Sequence, residues 1–266
     1  MALLAQTRRP VPLRWLTAEL RAGRRPPGAV AVTFDDAYRD VLENAQPSLV
    51  RHGVPATVFV VSGTIGSERG YWWDELAQLV LGDQALPEAM DLPVPSPEVE
   101  LARQQGDRSA LHMALWRLVR LRPEEERATI MRAVARAYGD PPIPYAPVMT
   151  EHELRSITDG GLVSLGVHTV THPSLPSLTV ERQREELAAS RAEVERIAGE
   201  PLASLAYPFG DYDETTIGVA RSLGFDHAVS VEAGWANDWG RRFALPRIDV
   251  KDWPDARFLR TLAWLG

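Results

Sequence analysis

The 266-residue chain is 45% apolar, which argues against disorder and suits one large α/β domain or two small ones. Its 29 basic and 36 acidic residues leave a net charge of −7 with no Lys/Arg-rich tract, so a nucleic-acid partner is not expected. Cysteine is absent, which excludes disulfides and thiolate metal ligands.

The N-terminal stretch MALLAQTRRPVPLRW lacks the apolar centre of a signal peptide, and no run of about eighteen apolar residues occurs. The expectations are a cytoplasmic protein and no membrane span. Residues 12–22 form a short amphipathic stretch that Pro26-Pro27-Gly28 breaks. An apolar run from Ala29 to Phe34 then meets Asp35 and Asp36, the pattern of a buried strand with a charged end. Residues 38–52 read as a helix with Val41, Leu42, Ala45 and Leu49 on one face, stopped by Gly53. Residues 57–61 are a second apolar strand, and this β-α-β opening predicts a parallel sheet.

The pattern changes at residues 71–147, where no strand is predicted. Helices are expected over 72–81, 101–121 and 123–138, with a proline-rich loop over 83–97 and a proline-rich close at 141–147. We read 1–266 as a single catalytic domain and 71–147 as a helical insertion within it. After it come a helix over 150–159 with a Thr-Glu-His-Glu capping box, a strand over 162–167, and a long helix over 179–199. A short strand over 204–207, a helix over 214–223, strands over 226–231 and 244–250, and a terminal helix over 254–265 complete the chain.

Two constellations carry chemistry. Side chains alternate along a strand, so Asp35 and Asp36 point apart. Two anions this close are costly unless a cation or a proton lies nearby. The second constellation is His168-Thr169-Val170-Thr171-His172-Pro173, two imidazoles four residues apart just past a strand. Such a pair can face one cation, and strand ends are where α/β folds place their sites. The plainer alternative has His168 capping the strand and His172 opening a turn. One carboxylate and two imidazoles make a three-ligand set with open positions, which zinc, iron(II), cobalt and manganese tolerate. The second carboxylate is then available as a base.

Thr33-Phe34-Asp35-Asp36 followed by the His168–His172 motif resembles the polysaccharide deacetylase family (carbohydrate esterase family 4, the NodB-homology domain). Ala206-Tyr207-Pro208-Phe209-Gly210 stands where that family has an Arg-Pro-Pro-Tyr/Phe-Gly type strand end. Trp72-Trp73-Asp74-Glu75-Leu76 and the helices after it look like an insertion seen in a bacterial branch. The resemblance spans about residues 28–250. It implies an α/β fold, a distorted (β/α) barrel of about seven strands with a helical insertion after the second strand. It further implies metal-dependent removal of an N-acetyl group from an N-acetylhexosamine unit of a saccharide or glycoconjugate. By this resemblance Asp35 is the general base, and Asp36, His168 and His172 hold one divalent metal ion, zinc first, with cobalt, nickel, iron or manganese as alternatives. A backbone N–H near Phe209 would help hold the oxyanion. Tyr207, Pro208, Phe209, Trp239 and Asp74 are the candidate substrate contacts, with core packing the alternative for Tyr207 and Trp239.

Four departures stand out. Ala37 replaces the glycine that follows the Asp pair. Ala206 replaces the arginine that steadies the catalytic Asp in the family, and Arg247 is the candidate replacement. No histidine follows His227, so the late Leu-x-His motif with its general acid is missing; His227 is a weak substitute. Related chains often carry a strand before residue 12, and none is expected here. Asp211 and Asp213 are expected to cap the helix after them. Competing functions are a metal-independent cyclic amide hydrolase of the same fold, a two-His-one-carboxylate iron oxygenase, and a catalytically weak or inactive sugar-binding relative. The β/α alternation disfavours the oxygenase, and the retained Asp35 disfavours the inactive relative. Oligomeric state is not legible.

Overall fold

The computed structural model describes residues 1–142 and 146–264. Positions 143–145 of the expected proline-rich close, and Leu265 of the expected terminal helix, lie outside the described residues. The chain divides into two compact units, Met1–Ile65 with Met149–Gly266, and Gly66–Val148. The expected insertion boundaries, 71 and 147, fall inside those of the second unit.

In chain order the first unit opens with α1 (Ala2–Thr7), β1 (Arg9–Pro10), α2 (Leu13–Arg21), β2 (Ala29–Val30), β3 (Val32–Phe34), α3 (Gln46–His52) and β4 (Ala56–Val60). The second unit holds α4 (Trp72–Leu81), α5 (Pro97–Gln104), α6 (Arg108–Arg120) and α7 (Glu124–Ala137). The first unit resumes with α8 (Glu151–Thr158), β5 (Val163–Val167), α9 (Val180–Ala198), β6 (Ser204–Ala206), α10 (Glu214–Ser222), β7 (His227–Val229) and α11 (Asp255–Trp264). No helix among the described residues is long and apolar enough to cross a membrane.

The main sheet has the order β3-β4-β5-β6-β7, parallel throughout, and curls as a half-barrel. The α/β distorted-barrel class expected from the sequence is therefore present, with seven strands among the described residues, split as five plus a parallel β1–β2 pair. β4 pairs with β5 over five residues, and all five residues of β4 are buried, as a strand covered on both faces must be. All five C-terminal ends of a parallel sheet lie on one edge. Asp35, Val61, His168, Tyr207 and Ser230 follow those ends, and that edge carries the site.

Four expected elements of the first unit differ. The run from Ala29 to Phe34 is two strands, because the chain changes partner at Ala31: Ala29 and Val30 pair with β1, Val32 to Phe34 with β4. A strand does precede residue 12. Two residues, one of them proline, show no alternation to read; Arg9 N–H and Val11 N–H donate to Gly28 and Val30 carbonyls, while Pro10 donates nothing. The 38–52 helix holds a π-helical turn at Val41–Ala45 before α3. Pro47 explains it, since its ring cannot sit under the carbonyl four residues back. Finally, 244–250 is not a strand: Leu245 bridges Val229 alone, and Pro246 interrupts the ladder. Backbone bonds nevertheless tie this run beside β7, from Leu245 to Ala228 and from Arg247 to Glu232, both 2.9 Å.

The second unit has a core of its own, built from Leu76, Val80, Leu111, Leu115, Ile130 and Val134 among others. The single helix expected over 101–121 is α5 and α6. Gly106 adopts φ 70°, and Asp107 caps α6 by accepting from Ala110 N–H at 2.9 Å.

His227 starts β7 on the edge opposite the site, 3% exposed, with Nε2 2.9 Å from Ser204 Oγ. It is therefore no substitute for the missing late histidine. Burial pushes its pKa down to about 4. Between about pH 6.5 and that value the unfolded chain binds a proton that the folded chain refuses, so stability falls as pH falls through this window. The expected loss has a limiting slope of about 1.4 kcal/mol per pH unit. Urea denaturation from pH 7 to pH 4.5 should show a shallower pH dependence for His227→Gln than for wild type; equal slopes would exclude His227 as the source.

Candidate metal centre

β3 ends at Phe34, and Asp35 follows it. Asp36 and Ala37 then take left-handed backbone at φ 70° and 54°. Successive left-handed residues turn the chain sharply, so the two carboxylates leave in different directions. Ala37 is fully buried, and its carbonyl accepts from Met149 N–H at 2.9 Å. The glycine that Ala37 replaces would adopt this conformation without steric cost, so the alanine holds it under strain.

β5 ends at Val167, and His168 continues the line, its N–H donating to Val60 O at 3.0 Å. Thr169 (φ 68°) and His172 (φ 53°) bend the next residues back, and His172 N–H donates to Thr169 Oγ1 at 3.0 Å. The two imidazoles end 4.8 Å apart between ring centres and nearly perpendicular, at 81°. Phe209, itself at φ 58°, meets His172 edge-on at 4.6 Å. Five of the six non-glycine residues with positive φ among the described residues are thus Asp36, Ala37, Thr169, His172 and Phe209. Each such residue costs about 1–3 kcal/mol, and strain of this kind gathers where a site needs it.

The donor atoms explain what the strain achieves. His168 Nδ1 lies 2.8 Å from the Ala206 carbonyl, which can only accept, so Nδ1 carries the hydrogen. Burial pushes His168 below the ordinary imidazole pKa, against the pull of the Asp35 charge and the Ala206 carbonyl. Nε2 of the neutral ring is then a bare lone pair, and it faces Asp36 Oδ1 at 3.6 Å. His172 Nε2 faces the same oxygen at 3.5 Å. The His168 lone pair aimed at a carboxylate oxygen repels it unless a cation lies between them. Metal–ligand bonds of about 2.1 Å in tetrahedral geometry separate ligand atoms by about 3.4 Å, close to these spacings. The carboxylate and both imidazoles offer atoms within 4.8 Å of one another, so the residues present fit a divalent cation. Asp36, His168 and His172 would be its ligands, and the His168–Ala206 bond fixes the ligand tautomer.

Asp35 turns to Arg247. The guanidinium donates from Nη1 to Oδ1 and from Nη2 to Oδ2, both at 2.7 Å, the bidentate fork–fork geometry. It also donates to Thr33 Oγ1 at 3.1 Å and to the Ser230 carbonyl at 2.8 Å. Burial alone would raise the Asp35 pKa; the Arg247 charge and hydrogen bonds outweigh it and hold the carboxyl below its usual range. The guanidinium carbon lies 5.8 Å from the centre of the Phe59 ring. A Cβ on Gly166 would stand 2.5 Å from that ring, so the close approach of β5 to Phe59 requires glycine.

The other candidates fall elsewhere. Tyr207 is 1% exposed and stacks on Tyr212 at 5.1 Å, so it is a core residue and offers a sugar no face. Pro208 is buried beside it. Trp239 packs near His227 and Arg21, by the N-terminal strand edge, and does not join the cluster. Asp74 belongs to the second unit, where its Oδ2 accepts from Tyr71 N–H at 2.9 Å and caps α4. Asp213 caps α10 as expected, while Asp211 accepts from Ser174 Oγ at 2.8 Å. Thr33 went unnoticed as a site residue, although it stands two residues before Asp35, on the same side of the strand.

Residues 22–228 match the family model described as polysaccharide deacetylase. The chain is 29% identical over 221 residues to the Bacillus subtilis protein YxkH, whose name places it provisionally among polysaccharide deacetylases; the match covers 83% of this chain and 51% of YxkH. Over 58 residues it is 33% identical to a Staphylococcus aureus poly-β-1,6-N-acetyl-D-glucosamine N-deacetylase, covering 22% of this chain and 20% of that protein. The chain thus spans about half the length of YxkH and matches a shorter part of the staphylococcal enzyme. Its fold is similar to that of the Streptococcus pyogenes deacetylase PplD, solved in complex with acetate: TM-score 0.62, 17% identity, 98% of this chain and 82% of PplD.

Removing one partner of a largely buried ion pair costs about 3–5 kcal/mol, and residual exposure places this pair near the low end. Arg247→Met is therefore expected to lose about 3 kcal/mol in urea denaturation of the chelator-treated protein. Asp35→Asn/Arg247→Met should lose less than Arg247→Met alone. An Arg247→Met variant as stable as wild type would deny the pair its structural weight.

Proposed function

We propose, from the fact that this chain belongs to the polysaccharide deacetylase family, that it is a metal-dependent hydrolase removing the N-acetyl group from an N-acetylhexosamine unit. The observation that carries this reading is the convergence of Asp36 Oδ1 with the two imidazole Nε2 atoms at 3.5 and 3.6 Å, beside an ionised carboxylate that takes no part in that convergence. The name of the staphylococcal relative supports a β-linked N-acetylglucosamine polymer or oligomer as the substrate class.

A divalent cation held by Asp36, His168 and His172, with zinc the first choice, supplies Lewis acidity toward water and toward the acetamide carbonyl. Asp35 takes the proton of the attacking water on a carboxylate oxygen. Arg247 keeps that carboxylate ionised and fixes its plane, so the base is preorganised when substrate arrives. The carbonyl oxygen gains charge as water attacks, and a backbone N–H is the donor that could meet it. The turn Tyr207–Asp211, closed by Gly210 N–H to Tyr207 O at 2.9 Å and Asp211 N–H to Pro208 O at 3.0 Å, places the backbone near Phe209 beside the ligand cluster. Phe209 against His172 also closes one side of the ligand ring to water.

The test measures acetate release from chitooligosaccharides, poly-β-1,6-N-acetylglucosamine, peptidoglycan fragments and nucleotide- or lipid-linked sugars, alongside metal content. Asp36→Ala, His168→Ala and His172→Ala are each expected to lose both metal and activity. Asp35→Asn should retain metal while turnover drops about 10²–10⁴-fold, the usual share of a general base. Full turnover of metal-loaded Asp35→Asn would overturn the base assignment. Metal binding without release from any substrate would favour an inactive sugar-binding relative, and amide hydrolysis by metal-free protein would favour the metal-independent reading.

A further inference from the structure

One buried carboxylate outside the ligand set touches the loop that carries two of the ligands. Glu186 stands on α9 among Gln183, Leu187, Ser190, Val194 and Ile197, the buried face of that helix. A carboxylate at a buried helical position needs donors. Glu186 Oε2 accepts from Val170 N–H at 2.8 Å and from Thr171 N–H at 2.9 Å. Its Oε1 accepts from the Thr171 hydroxyl at 2.7 Å. Val170 and Thr171 are two of the three residues between His168 and His172.

The opposite side of the same loop is tied as well. Ser62 N–H donates to Thr169 O at 3.0 Å, and Gly63 N–H donates to Val170 O at 2.9 Å. A Cβ on Gly63 would stand 2.6 Å from Val170 O, so only glycine permits this approach. The peptides between the two histidines are therefore held through their carbonyls by β4's exit and through their amides by one carboxylate. Thr169 and His172 both hold positive φ, which short unrestrained segments do not keep. Hydrogen bonds from backbone amides to an ionised carboxylate are among the strong ones available to set such a turn.

We propose that Glu186 is a positioning residue for the metal ligands: its carboxylate fixes the Val170 and Thr171 peptides and so sets where the His172 imidazole stands relative to His168 and Asp36. The proposal rests on the metal-site reading above. It gives Glu186 no contact with cation or substrate.

The experiment uses the full chain, with cobalt(II) as the probe. Affinity is read by competition with a chromophoric chelator, ligand geometry by the cobalt d–d absorption spectrum, and loop order by hydrogen exchange of the metal-free peptide covering 168–173. Glu186→Leu is expected to raise exchange in that peptide, lower cobalt affinity about 10–100-fold and alter the spectrum, the usual range for loss of an outer-shell partner. Glu186→Gln should fall between wild type and Glu186→Leu, and it decides the matter if Glu186→Leu does not fold. Glu185→Gln, an exposed neighbour paired with Arg182, should match wild type in all three. A folded Glu186→Gln with faster loop exchange but wild-type affinity and spectrum would make Glu186 merely structural and overturn the proposal. No change in any readout would overturn it too. Failure of the wild-type protein to bind cobalt would instead sink the metal-site reading and the proposal with it, a result seen before any variant is made.

Discussion

Two adjacent anions stand at the end of a buried strand, and separating them is the constraint that the surrounding structure answers. Left on one extended backbone they would each lose water without gaining a counter-charge. The left-handed pair Asp36-Ala37 sends one carboxylate to a guanidinium and the other to two imidazole nitrogens. Each direction meets a different need. Asp35 receives a permanent cation through four of whose hydrogens it and its neighbours are held. Asp36 faces two imidazole nitrogens that converge on one of its oxygens, an arrangement that fits a divalent cation.

The parallel sheet is what makes the separation affordable. Its strand ends lie on one edge, so residues distant in sequence arrive together without long connections: Asp35 from β3, His168 from β5, the Ala206 carbonyl from β6 and the Ser230 carbonyl from β7. Backbone and side chains share the task. The Ala206 carbonyl orients an imidazole and the Ser230 carbonyl orients the guanidinium. A main-chain partner is insensitive to residue identity, and it cannot be read from a sequence.

That division explains what was legible. The Asp35-Asp36 pair and the His168/His172 pair are residue types with few uses at strand ends, whereas Asp36 rather than Asp35 was legible as a ligand only through the family resemblance. Arg247 was legible only through the family resemblance, as the candidate to replace the arginine that the family has where Ala206 stands here. Glu186 was missed although a signal existed: it sits in phase with Leu187, Ser190, Val194 and Ile197, where a charge is out of place. Trp239 and Tyr207 stayed open between sugar contact and core packing for the opposite reason. An aromatic near a motif looks like a platform, but burial and edge placement are set by tertiary contacts that periodicity does not encode. The split of Ala29–Phe34 and the break of 101–121 were local: a change of partner at Ala31 leaves no composition mark, whereas Gly106-Asp107 was a readable stop-and-cap signal.

The relocated arginine follows from packing. Ala206 is fully buried in a cluster with Leu13, Phe59, Val229 and Leu245. A guanidinium rooted there would displace that cluster and enter the core with few acceptors to meet its five N–H groups. Arg247 is rooted beyond Pro246, on a run that the Leu245 bridge holds beside β7. From there its guanidinium lies over the Phe59 ring and reaches Thr33, Asp35 and Ser230 with the core left intact. The alanine and the arginine are thus two halves of one arrangement: emptying position 206 of charge leaves room for the aromatic floor on which the guanidinium rests. Restoring an arginine at 206 without removing Arg247 would set two cations against one carboxylate, and the second would have no counter-charge within the cluster that now surrounds Ala206.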